Sequence, residues 1–155
     1  MQKADAVVER MGGRRMVYDR LDKYLSGYLP MDYWYDEGVD IAREIIADLK
    51  PCDWEMLLEK VSTKDVEWKK KIAYCLYDRD KEYGSSLLLE LLDTEDEELF
   101  EIALDSLRGF VDKEIAVSLV RDPVVISKMV KLYHDAGKPT RAVLDDLAKK
   151  INGYL

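Results

Sequence analysis

The chain has 155 residues, of which 48% are apolar and 36% charged, and its net charge is −8. Such a length holds one globular domain with a sizeable core, and the apolar share excludes a disordered chain. Apolar runs such as Leu87-Leu88-Leu89 are far too short for a membrane span, and MQKADAVVERMGGRR lacks the apolar segment of a secretory signal, so a cytoplasmic protein is expected.

Helical spacing runs through the chain and strand alternation is nearly absent. Gly12-Gly13 divides an N-terminal segment, and Met16, Val17, Leu21, Tyr24, Leu25 and Tyr28 form the first stripe. Val39, Ile41, Ala42, Ile45, Ile46 and Leu49 form the next, followed by Trp54, Leu57, Leu58 and Val61. Trp68, Ile72, Ala73 and Leu76 come next, then Leu87, Leu88, Leu91 and Leu92, then Leu99, Ala103, Leu104 and Leu107. Ile115, Ala116, Leu119 and Val120 precede Ile126, Met129, Val130 and Tyr133, and Val143, Leu144, Leu147, Ala148 and Ile151 close the series. Each stripe repeats at three- and four-residue steps, the signature of an amphipathic helix.

The punctuation agrees. Thr94 with Glu97, and Ser62 with Asp65, match a capping box, and Asp122-Pro123 reads as an N-cap followed by proline at the first helical position. Pro51 and Pro139 stand at helix starts, and Gly109, Gly137 and Gly153 where helices end. The connections are short and none reads as a linker. The expectation is an all-α single domain over residues 1–155 with about eight or nine short helices.

A pattern of two small or aliphatic residues, two others and one large apolar residue recurs. It appears as Ile45-Ile46…Leu49, Ile72-Ala73…Leu76, Ala103-Leu104…Leu107 and Met129-Val130…Tyr133, at steps of 27, 31 and 26 residues. WKKKIAYCLYD (68–78) and LFEIALDSLRG (99–109) resemble short HEAT-like repeats. The resemblance spans residues 63–121, with spacing shorter and more variable than in regular repeats, and implies helix pairs stacked as an α-solenoid. An irregular helical bundle is the alternative.

Signatures of chemistry are missing. The one histidine, His134, falls near a predicted helix C-terminus, and a single histidine leaves no nucleophile–histidine–acid set. Asp78-Arg79-Asp80 opens like a calcium loop, but Tyr83 and Leu89 stand where a glycine and an acid are needed. Cys52 and Cys75 belong to no CxxC pair and read as thiols on helices, a disulfide between them being the alternative. Glu98, Glu101 and Asp105 share a helix face and read as a solvated stripe. No enzyme activity, metal or cofactor is expected.

What remains is recognition. The charge is regional: net +2 over 1–30, −13 over 31–120 and +3 over 121–155. Such a field repels nucleic acid and anionic membranes and attracts basic proteins; the plainer reading is a solvated surface. There are ten tyrosines and three tryptophans against two phenylalanines, and several sit among acids. The candidate partner-binding residues are Tyr33, Trp34, Tyr35, Asp36 and Glu37; Tyr77, Asp78, Asp80, Glu82 and Tyr83; and Asp93, Glu95, Asp96, Glu97 and Glu98. Aromatic rings beside carboxylates suit arginine and lysine. Successive helical residues fan out by about 100°, so residues 33–35 cannot all face one core. Trp34 inside with the tyrosines over a seam is one arrangement, an exposed ring the other.

In kind, small size and acidity with aromatics among the acids resemble the bacterial immunity proteins. That resemblance implies a protein-binding module that neutralises a basic toxin, such as a nuclease, by electrostatic masking. A HEAT-like scaffold or adaptor is the alternative. Nucleic-acid mimicry is disfavoured by the interspersed Lys69, Lys70, Lys71, Arg79 and Lys81, and direct nucleic-acid binding would rest on Arg14-Arg15 and Lys149-Lys150 alone.

Overall fold

The computed structural model describes residues 16–155, and every regular element among them is helical. Gly12-Gly13, Arg14-Arg15 and the rest of the N-terminal segment lie outside the described residues. Backbone contacts gather the chain into two compact units, one ending at Cys75 and one starting at Leu76.

The first unit contains α1 (Val17–Ser26), α2 (Met31–Tyr33), a widened turn (Trp34–Gly38), α3 (Val39–Ala47), α4 (Pro51–Lys60) and α5 (Val66–Cys75). Helix α1 packs on α3, α4 and α5, and α3 packs on α5. Their stripes meet in a core that includes Leu21, Leu25, Ala42, Ile46, Leu57 and Ile72. Tyr28 departs from its stripe: the chain turns extended at Gly27, and the tyrosine ends 90% exposed.

Asp53 ties two helix starts together. It is fully buried, and its carboxylate accepts from the Lys50 amide at the head of α4 and from the Tyr18 amide at the head of α1, both at 2.9 Å. Asp65, not Ser62, caps α5 by accepting from the Trp68 amide at 2.8 Å. Lys64, just before it, forms an ion pair with Asp22 at 2.7 Å and stands over the Tyr18 and Trp68 rings.

The second unit opens with a tight 3₁₀ turn (Asp78–Asp80) and continues with α6 (Lys81–Leu91), α7 (Glu97–Leu107), α8 (Lys113–Val120), α9 (Pro123–Asp135) and α10 (Lys138–Asn152). Helix α7 packs on α6 and α10, while α8, α9 and α10 pack on one another. Leu87, Leu88, Leu99, Leu104, Leu107, Leu119 and Leu147 form its core. Losing one such leucine to alanine costs about 2–5 kcal/mol.

Aspartates start three consecutive helices. Asp96 accepts from the Leu99 amide, Asp112 from the Ile115 amide, and Asp122 from the Val124 and Val125 amides ahead of Pro123. The cap of α7 is therefore Asp96 rather than Thr94, whose hydroxyl instead accepts from the Asp96 amide. The stripe on α9 also departs from expectation. Val125 is the buried residue there; Ile126 and Met129 are half-buried, Val130 is 52% exposed and Tyr133 37%. Nor are the acids of α7 merely solvated: Glu101 accepts from the Thr140 hydroxyl, and Arg108 pairs with both Asp105 and Asp146. Among the described residues no helix is long and apolar enough to cross a membrane.

Candidate protein-binding surface

The stretch MDYWYDEG carries a local irregularity. The Trp34 amide donates to the Pro30 carbonyl at 2.8 Å, an ordinary α-helical step. The Val39 amide then donates to the Trp34 carbonyl five residues back, so residues 34–38 form a π-turn. Single π-turns inside helices widen the coil by one residue and recur at functional sites. Gly38 permits this one: a Cβ there would stand 2.8 Å from Cε3 of the Trp34 ring and 3.5 Å from the Tyr24 hydroxyl.

The turn sorts the three aromatics. Trp34 is buried, Tyr33 half-buried and Tyr35 55% exposed. The Tyr35 ring meets Tyr74 of α5 edge to face, with centroids 5.4 Å apart and planes at 73°. Tyr74 is itself 39% exposed. Arg43 on α3 holds the end of α5 in place, its guanidinium donating to the Cys75 carbonyl at 3.2 Å and the Tyr74 carbonyl at 3.5 Å. Tyr24 supports the turn from below. Burial, and then the neighbouring Tyr33, push its pKa far above the usual phenol range. Close to Tyr35 in the sequence, Met31, Asp32, Asp36, Glu37 and Asp40 are all exposed. The first unit thus presents two tyrosine rings in edge-to-face contact, one of them on a stretch rich in exposed carboxylates.

The second candidate set is more inward. Asp80 is buried, its carboxylate accepting from the Tyr77 amide at 3.3 Å and lying 3.5 Å from Arg79. The Arg79 guanidinium in turn covers the half-buried Tyr77 ring at 4.4 Å. Tyr83 is half-buried, and Asp78 and Glu82 are exposed. The charge of Asp80 is therefore met within the fold.

The third set is partly neutralised. Asp93, Glu95, Glu97 and Glu98 are exposed and Asp96 caps α7. Lys131 on α9 approaches Glu97 at 3.8 Å, and Lys128 donates to the Thr94 carbonyl at 2.7 Å. The first set lies in the first unit, and the other two lie in the second.

Tyr74 and Met31 are also exposed and were not singled out in the sequence. Tyr74 carried a signal: it falls two residues after Ile72, off the stripe that α5 buries. Among the described residues no three His, Cys, Asp or Glu side chains are grouped to hold a metal ion. Cys52 is half-buried and Cys75 buried, both as thiols. No family model, curated protein or solved structure matches the chain.

Proposed function

We propose that the chain is a protein-binding module that captures a basic partner, acting as an immunity-type inhibitor of a basic toxin such as a nuclease. The observation that carries this reading is the exposed Tyr35–Tyr74 ring pair, with Asp32, Asp36 and Glu37 exposed close to Tyr35 in the sequence. Arginine is the side chain this chemistry favours. Its planar cation stacks on a tyrosine face and pairs with a carboxylate, and tyrosine-centred clusters dominate interface energies. Acidity around the rings draws a basic partner in and sets orientation more than it adds affinity. The other two acidic sets supply long-range field, because Asp80 is already paired with Arg79 and Glu97 with Lys131.

A second reading has its own observation. The outward face of α9, with Val130 and Tyr133 exposed, is where a further helix pair of a HEAT-like array, or a scaffolded partner, would stack.

Affinity capture with the tagged protein and with Tyr35→Ala/Asp36→Asn/Glu37→Gln tests the choice. The expected result is one basic protein held at low salt, released at high salt and absent from the variant. A partner that resists salt and binds the variant equally overturns the inhibitor reading. Its loss on Val130→Glu would then select the scaffold.

A further inference from the structure

Helices α1 and α3 leave an apolar groove of about 530 Å³ that the partner surface does not use. Leu29, Ile41 and Ile45 line it, with Arg20 and Lys23 of α1 along one side and Glu44 of α3 on the other. Next to it in the chain stands Tyr28, 90% exposed. Gly27 and Leu29, on either side of Tyr28 in the chain, both line the groove, so the exposed tyrosine stands at its edge.

We infer that this face is a two-fold interface between copies of the chain, with Tyr28 of each copy seated in the groove of the other. The patch is self-complementary. A two-fold interface uses one patch twice, so that patch must carry both halves of every contact. This one does so in shape, with a projecting ring beside a groove, and in charge, with a basic side facing an acidic side. Placed on its own mate, Lys23 of one copy meets Glu44 of the other, and the reverse contact forms by symmetry. A uniformly basic ligand would meet Arg20 and Lys23, and an anionic surface would meet Glu44 with the exposed Asp40 and Asp48 close by in sequence. Arg20 already pairs with Asp48 at 3.3 Å, which leaves Lys23 and Glu44 as the charges that read the mate. The patch is one helix pair wide, so the association belongs to the weak, micromolar class.

Sedimentation equilibrium of the full chain, from low micromolar to sub-millimolar, tests this. The mass is expected to rise from one chain to two. Tyr28→Ser and Ile41→Glu each weaken association by at least about tenfold, with far-UV circular dichroism confirming the fold. Tyr28→Ser, at a position in open solvent, keeps the test valid should Ile41→Glu unfold the unit. Lys23→Glu alone and Glu44→Lys alone remain monomeric, while their equimolar mixture regains the two-chain mass. A role within one chain cannot be repaired by mixing. A wild type that stays monomeric, a dimer indifferent to Tyr28→Ser, or a mixture that stays monomeric each overturns the proposal. Capture of a basic partner through Tyr35 is read separately, so either conclusion can fail alone.

Discussion

The backbone amide of Tyr18 donates to the carboxylate of Asp53, 35 residues further on, and the same carboxylate accepts from Lys50. One buried anion thus satisfies the first turns of two helices, where amides lack intrahelical acceptors and the helix dipole favours negative charge. Asp53→Ala strands both donors, each at about 1–3 kcal/mol. We expect a loss of about 3–5 kcal/mol, seen as a lower urea midpoint at unchanged denaturant slope. Asp53→Asn keeps one good acceptor and should lose less. A loss below about 1 kcal/mol for alanine, the size of an ordinary surface cap, would show that water replaces the carboxylate.

At Gly38 two effects oppose each other. Alanine gains about 1 kcal/mol of helix propensity over glycine. Its Cβ, however, meets the buried Trp34 ring at 2.8 Å, and overpacking of this kind costs about 1–3 kcal/mol. We expect Gly38→Ala to be net destabilising and to red-shift tryptophan emission as Trp34 loosens. A more stable variant would show that the close approach does not set the π-turn.

The candidate binding residues differ in what their loss should do. Tyr35→Ala removes an exposed ring and should change stability by less than about 1 kcal/mol while weakening partner binding at least tenfold. Asp96→Ala removes the cap of α7 and should cost about 1 kcal/mol of stability. Thermal melts run beside capture assays check the contrast. Equal stability losses in the two variants would place Tyr35 among the structural residues.

Stability should fall on the alkaline side. Burial holds the Tyr18 and Tyr24 phenols above their ordinary value of 10.0. For Lys64, burial opposes the charge, but hydrogen bonds to Asp22 and Tyr18 outweigh it and raise the pKa above 10.5. All three folded-state values are raised, so the native state holds protons that the unfolded chain releases first. The associated stability is complete below about pH 10 and is lost as pH rises through the folded values. Urea titrations at successive pH values should show this decline, with a shallower slope in Tyr24→Phe. An unchanged slope in that variant would remove Tyr24 as a contributor.

The helices were legible because each buries a stripe whose period the residues display directly, as in Leu99, Ala103, Leu104 and Leu107. Caps were less so. Thr94 and Asp96, or Ser62 and Asp65, are chemically equivalent caps a few positions apart, and only the path of the incoming chain decides between them. Asp53 was illegible for a different reason: one of its partners lies 35 residues away, and nothing in PCDWE announces it. The face of α9 shows the limit of periodicity, which reports that a helix has an apolar side and not that anything covers it. The aromatic triplet was half legible. A regular helix forbids burying all three rings, but Gly38 and the π-turn decide which one emerges.

The π-turn also sets a phase. It holds one residue more than the regular helix needs, so deleting Asp36 would let residues 31–47 run as a single unbroken coil. Every side chain upstream would then rotate by about 100° relative to α3. Trp34 would leave the core and Tyr35 would lose Tyr74, although no contacting residue had been mutated. At this position the exposed tyrosine pair is encoded by residue count as much as by residue type.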